Sequence, residues 1–242
     1  MSDYLIQSAC LSDPGLKRER NEDSALADDA QCFWVVADGM GGHDNGALAS
    51  QTAIQGFRAL QFPADFESAV RTAATRMHEV NDRLVRMRGE IGASQMGTTA
   101  ISLVIRGQRF AIVWVGDSRA YIWRRGGLFQ LSTDHTHVQD LVDQGILSPF
   151  EARDHPMGHV LTRALGVQET VQVDIVEDIV EPGDRFLLCS DGLSGPVPED
   201  VIRELVAEGS PEAAVAMLIK AAHANGAPDN VTAIVVEAQN LA

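Results

Sequence analysis

A chain of 242 residues with 45% hydrophobic content has ample material for a core, and its length suits one large domain or two small ones. A net charge of -15 sets it against nucleic-acid backbones and anionic lipid surfaces as partners. No apolar run approaches the ~18 residues of a membrane helix, and the start, "MSDYLIQSACLSD", lacks the basic and long apolar regions of a signal peptide. The expectation is a cytoplasmic protein with no membrane insertion. Its three cysteines, Cys10, Cys32 and Cys189, are expected to be buried free thiols in a reducing compartment.

In chain order, "YLIQSACL" and "CFWVVAD" read as strands. From Ala47 the apolar spacing turns helical through Ala49, Ala53, Ile54, Phe57 and Leu60. After Pro63 a second, longer helix carries Phe66, Val70, Ala73, Met77, Val80 and Leu84. Strands return as "TTAISLVI" and "FAIVWVGD" about a turn with Gly107, then "AYIW" and "LFQL" about "RRGG". A mixed stretch follows to about Val167, with a short helix "HVQDLVDQG" and a helix-like "HVLTRALG". "VQVDIVEDIV" and "DRFLLCSDG" are strands, two helices lie near 198–207 and 211–224, and "NVTAIVVE" is the last strand. Hairpins dominate and every sheet face needs cover. The pattern fits an α+β fold: two mostly antiparallel sheets packed on each other, each covered outside by a helix pair. No linker interrupts it, so residues 1–242 are expected to form one domain, with 142–168 projecting as a mobile flap.

Acids recur where strands end or begin. "CFWVVAD" stops on Asp38, "FAIVWVGD" on Asp117 and "RFLLCSD" on Asp191, while Asp229, Glu22 and Asp23 just precede strands. In antiparallel sheets the end of one strand and the start of its neighbour share an edge. One edge can therefore gather Glu22, Asp38, Asp117, Asp191 and Asp229. Any one Asp-Gly pair alone is an ordinary turn. Together the carboxylates repel and raise one another's pKa, a cost that cations remove. An all-oxygen set suits magnesium or manganese rather than zinc. Gly39 lets its carbonyl face such an ion unobstructed. Arg18 can supply a bidentate grip on phosphate; otherwise it joins Lys17 and Arg20 in a solvated basic patch. A two-ion site of this type suits attack of an activated water on phosphorus or carbon.

Eight ordered stretches, "RERNED", "ADGMGGH", "MGTT", "VGDSRAY", "DHT", "LTRALG", "CSDGL" and "DNVTAIVV", resemble those of metal-dependent protein phosphatases of the PPM family, in its compact bacterial serine/threonine class. The resemblance runs from about Ser8 to Val236. It implies an α-β-β-α four-layer sandwich and hydrolysis of phosphoserine or phosphothreonine in proteins by a metal-activated water, without a phosphoenzyme. It implies that Asp38 bridges two Mn2+ or Mg2+ ions and that Gly39 lends its carbonyl. Glu22 serves one ion, Asp191 and Asp229 the other, and Asp117 with Asp191 holds a third. Arg18 matches the arginine that grips the phosphate; Asp23 and Asn230 stand behind the ligands. The chain departs from eukaryotic members by Met40 in place of a His after the Asp-Gly pair, which leaves His43, His135 or a metal-bound water as general acid. It departs from many bacterial relatives by Gly158-His159 ahead of "VLTRALG".

The implied partner is a phosphorylated protein, a bacterial serine/threonine kinase or its target, and some short relatives accompany secretion machinery; a monomer is expected. Two rivals stay open: a two-metal phosphoesterase for small phosphates, and a non-catalytic phosphoprotein-binding regulator. Tyrosine specificity ranks below these, since no Cys-x5-Arg loop is present.

Overall fold

The computed structural model of the chain describes residues 4–41, 44–153 and 155–240. In chain order its elements are β1 (Tyr4–Asp13), β2 (Asp23–Asp28), β3 (Phe33–Met40), α1 (Asn45–Arg58), α2 (Phe66–Ile91), β4 (Gly97–Thr98), β5 (Ala100–Arg106), β6 (Arg109–Val115), β7 (Arg119–Arg124), β8 (Gly127–Gln130), α3 (His137–Asp143), α4 (Pro149–Arg153), β9 (Asp174–Ile179), β10 (Arg185–Cys189), α5 (Asp191–Ser194), α6 (Glu199–Ala207), α7 (Pro211–Ala224) and β11 (Val231–Asn240). One sheet runs β1-β11-β10-β7-β8; the other runs β2-β3-β5-β6-β9, with β4 added to β3. Every pairing is antiparallel.

Three apolar layers separate four structural ones. β3 shows why its sequence is apolar without alternation: both of its faces are buried. Phe33 and Val35 pack with Phe57, Val70, Met77 and Leu84 beneath α1 and α2. Trp34 and Val36 pack with Leu103, Phe110, Phe186 and Ile234 between the sheets. Leu187 and Val235 pack with Ile202, Val206, Val215 and Leu218 beneath α6 and α7. Each such side chain, fully buried, contributes ~1.5–3 kcal/mol. The architecture is the α-β-β-α sandwich.

Local chemistry sets the helix ends. Asp65 caps α2 by accepting the Ser68 N–H, and Gly92, at φ 65°, ends it. Ser210 caps α7 ahead of Pro211. The helix-like "HVLTRALG" is not a helix. Thr136 pairs with Leu161 and Thr98 with Leu165 in isolated antiparallel bridges, and the Thr162 N–H donates to the His135 carbonyl at 2.8 Å. Distant backbone takes the hydrogen bonds that a helix would have kept for itself. Cys10 is another difference: it is exposed, while Cys32 and Cys189 are buried. No helix among the described residues is long and apolar enough to cross a membrane.

Candidate active site

The antiparallel order brings the ends of both sheets to one edge. Arg18 follows β1, Glu22 precedes β2, and Asp117 lies just past β6. Asp191 opens α5 after β10, and Asp229 precedes β11. Asp38, near the end of β3, stands opposite Asp23 across the β2–β3 ladder. Arg18, Glu22, Asp38, Gly39, Asp117, Asp191 and Asp229 line one cavity of about 280 Å³, together with Met40, Thr99 and His159.

A dense hydrogen-bond frame sets these groups. Thr99 Oγ1 accepts the Asp38 N–H at 3.0 Å, and the Asp38 carbonyl accepts Thr98 Oγ1 at 2.9 Å and the Thr99 N–H at 2.8 Å. Thr99 Oγ1 also bonds Ser118 Oγ at 2.7 Å, tying Asp38 to the loop that carries Asp117. A Cβ on Gly39 would lie 2.1 Å from the Gly46 carbonyl oxygen and 2.6 Å from that of Glu22, so only glycine fits. A Cβ on Gly46 would lie 2.3 Å from Glu22 Oε2 and 2.9 Å from the Gly39 carbonyl oxygen, which brings those two acceptors to one spot.

Buried Asn230 pins the N-terminal loop. Its Oδ1 accepts the Glu22 N–H at 2.8 Å, and its Nδ2 donates to the carbonyls of Pro14 and Arg20 at 2.9 and 2.8 Å. Buried Asp23 clasps the two sheets: Oδ2 accepts Ser190 Oγ and Thr232 Oγ1, each at 2.7 Å. Its Oδ1 is buried with no hydrogen-bond partner among the described residues.

The electrostatics are those of crowded, buried acids. Burial, and then the charges of Asp23, Asp191, Asp117 and Asp229, hold the Asp38 carboxyl well above the usual range. Burial and Asp191 do the same to Asp117, and burial and Asp229 raise Asp191. Burial pushes Asp23 up to about 6. Arg18 Nη2 donates to Asp229 Oδ2 at 2.7 Å, and that bond holds its guanidinium above its ordinary pKa.

A hard divalent cation would relieve this repulsion. Three features fit one: an oxygen-only donor set, the orphaned Oδ1 of Asp23, and the close approach of the Glu22 carboxylate to the Gly39 carbonyl. Among the described residues, no three His, Cys, Asp or Glu side chains already surround one point as a finished ligand set. Asp229 faces Arg18, and Asp191 hydrogen-bonds Asp38.

The "DHT" stretch divides three tasks. Asp134 holds the Arg119 fork, with Nε and Nη2 at 2.9 and 2.7 Å. Thr136 caps α3. Buried His135 accepts the Gly116 N–H on Nδ1 at 3.0 Å, so Nε2 carries the proton and donates to Asp174 at 3.1 Å. Burial lowers its pKa. Neither nitrogen is left for a leaving oxygen, which removes His135 from the candidate acids. His43 lies outside the described residues. The histidine that sequence reasoning missed is His159. It is exposed on the cavity wall and makes no hydrogen bond or ion pair among the described residues. Its one signal in the sequence was the departure at Gly158-His159. Cys189 is core, its thiol pushed up to about 12 by burial, and is no nucleophile.

The family described as protein phosphatase 2C matches residues 17–233. The chain belongs to the protein phosphatase 2C family. It is 37% identical over 240 residues to the serine/threonine protein phosphatase PstP of Mycobacterium tuberculosis, a match covering 96% of this chain and 45% of PstP. The chain thus spans about half the length of that curated relative. Among solved structures, PppA, "a key regulatory component of T6SS in Pseudomonas aeruginosa", superposes with a TM-score of 0.90 at 38% identity, covering 96% of this chain and 97% of PppA. The catalytic domain of PstP in complex with two manganese ions superposes with a TM-score of 0.87 at 35% identity, covering 97% of this chain and 98% of that domain. This phosphatase 2C chain shares its fold with both.

Proposed function

We propose that this chain is a metal-dependent protein phosphatase that hydrolyses phosphoserine and phosphothreonine by direct attack of water. One observation carries the reading: five acids and one arginine from five separate segments line a single cavity, in a phosphatase 2C chain. The relative solved with two manganese ions supports a pair of divalent ions here. Asp38 would stand between them. Glu22 and the Gly39 carbonyl would hold one ion and Asp191 and Asp229 the other, with Asp117 and Asp191 offering a third position. When bound, the ions activate the attacking water and neutralise phosphate charge.

The remaining roles belong to the chain. Arg18, exposed at the cavity rim, turns its fork from Asp229 to two phosphate oxygens. Asp23 and Asn230 hold the ligand-bearing segments in place from behind. As the water oxygen bonds to phosphorus, the bond from phosphorus to the seryl or threonyl oxygen breaks. His159 gives that oxygen its proton, in place of His43, His135 or a metal-bound water. The segment 142–168 acts as a flap on one domain that spans the chain. The substrate is a phosphoprotein, a kinase or its target, met by a cytoplasmic monomer, and the likeness to PppA supports a secretion-linked target.

The test is Asp38→Asn with manganese and a phosphothreonine peptide. Turnover should fall on the order of 10³-fold, the several kcal/mol that correctly placed metal charge supplies. Chelation of the wild type should do the same, and added manganese or magnesium should restore it. An Asp38→Asn enzyme of full activity, or equal turnover of nucleotides, would overturn the reading.

A further inference from the structure

Three grooves open around the acid cavity. One is lined by Arg18, Glu19, Arg20, Glu22 and Asp44. A second, toward the flap, carries Asp117, Asp134, Asp191 and Glu199. The third differs in kind. It holds about 410 Å³, its walls include Met40, Met96, Leu161 and Val167 with Arg88 and Gln95 beside them, and among the described residues no carboxylate lines it. Met40, His159 and Leu161 line both this groove and the acid cavity, so the two spaces adjoin.

The groove is preformed. A Cβ built on Gly97 would lie 2.9 Å from Val167 Cγ2 and 3.0 Å from Met40 Cε, which places those two tips together over the glycine. The wall behind them is pinned. Leu165 exchanges backbone hydrogen bonds with Thr98 at 3.0 and 2.9 Å, the Gly166 N–H donates to Asn81 Oδ1 at 2.9 Å, and Arg88 Nη1 donates to the Val167 carbonyl at 2.8 Å.

We propose that this groove is a substrate subsite that takes an apolar side chain next to the phosphorylated residue. The inference rests on the phosphatase reading and adds the class of substrate. A phosphoryl group in the acid cavity places neighbouring peptide residues at its three exits. On a chain of net charge -15, the exit free of carboxylates is where an apolar side chain loses water without desolvating an acid, and the Arg88 guanidinium on its wall is already hydrogen-bonded to the Val167 carbonyl. Two methionines at the site adapt to leucine, methionine or phenylalanine alike. The volume lies within the range of small-ligand pockets.

The test uses manganese-loaded protein and matched phosphothreonine peptides carrying Leu, Ser or Glu at each flanking position, with p-nitrophenyl phosphate as a substrate too small to reach the groove. The wild type should favour Leu over Ser at one flanking position by about tenfold in kcat/KM, carried mainly by KM. Val167→Glu, at a partly exposed position, should erase that preference; Val167→Leu should keep it. Both variants should turn over p-nitrophenyl phosphate within about twofold of wild type. Equal rates for all peptides in the wild type, or a preference that survives Val167→Glu, overturns the subsite and leaves the phosphatase reading standing. No turnover of any substrate overturns the phosphatase reading and the subsite with it.

Discussion

The two walls of the cavity are built on opposite plans. On the acid wall the carboxylates stand beside strand ends and are framed from other parts of the chain: the Asp38 backbone by Thr98 and Thr99, the Glu22 N–H by Asn230, and behind them the Asp23 carboxylate by Ser190 and Thr232. On the opposite wall, the segment proposed as a flap, the bonds among the described residues of 148–158 are local, such as Ala152 to Ser148, His155 to Ala152 and Gly158 to His155. Large apolar side chains stand in solvent there, with Phe150 82% and Ile146 61% exposed. Like charges at close range need a scaffold that does not yield, which strand ends supply. Groups that meet a variable partner can sit on a connecting segment. His159 is the point where the second wall reaches the first.

If the flap wall takes part in the chemistry through His159, His159→Asn should lower kcat on a phosphoserine peptide by about 10². It should leave p-nitrophenyl phosphate nearly untouched, because that leaving oxygen needs little protonation. Equal losses on both substrates would make His159 a binding residue and the acid wall the sole chemical one.

The acid wall should fail as a frame before it fails as a charge cluster. Asn230→Ala strands the Glu22 N–H and the carbonyls of Pro14 and Arg20. It should cost about 2–3 kcal/mol, roughly 5–10 °C in melting temperature. A variant that melts with the wild type would show that the loop is held elsewhere.

Smaller is the pH effect in chelated protein. Asp23 binds its proton more tightly folded than unfolded, its pKa rising from 3.8 to about 6. The stability it contributes is complete below 3.8 and is lost as pH rises through about 6. Asp38, Asp117 and Asp191 are shifted in the same direction. From about pH 5 to about pH 7.5, Asp23 alone should remove on the order of 1 kcal/mol, roughly 3 °C. Saturating manganese should flatten the trend; a melting temperature that climbs with pH after chelation would reverse the sign of the argument. Smallest of all, Phe150→Ser should change stability by less than ~0.5 kcal/mol and leave small-substrate turnover unchanged. A larger loss would mean that the flap wall is more firmly built than its local bonding indicates.

Much of the fold was legible because its signals are local. The apolar run of β3, the hairpin turns at Gly107 and "RRGG", and the spaced apolar face of α2 each report a neighbourhood a few residues wide. The strand-end acids were legible for the same reason, one at a time. What stayed hidden depends on partners far away in the chain. "HVLTRALG" has helical spacing, yet Thr98 and Thr136 draw its backbone into bridges. Asn230 gave no sign of reaching Pro14, some two hundred residues earlier, through the long-range bond of its amide. His135 looked like a candidate acid until Gly116 and Asp174 were seen to occupy both of its nitrogens.

The amino-acid order alone therefore determined the layers, the hairpins and which residue types stand at strand ends, since propensity, periodicity and turn chemistry act over short stretches. Only the folded chain decided that Glu22, Asp38, Asp117, Asp191 and Asp229 share one cavity with Arg18. It also decided that His159 faces that cavity and that Met40 and Val167 close an apolar groove beside it. Those juxtapositions follow from sheet register and from the packing of two sheets on each other, and both are long-range properties that no short window of sequence contains.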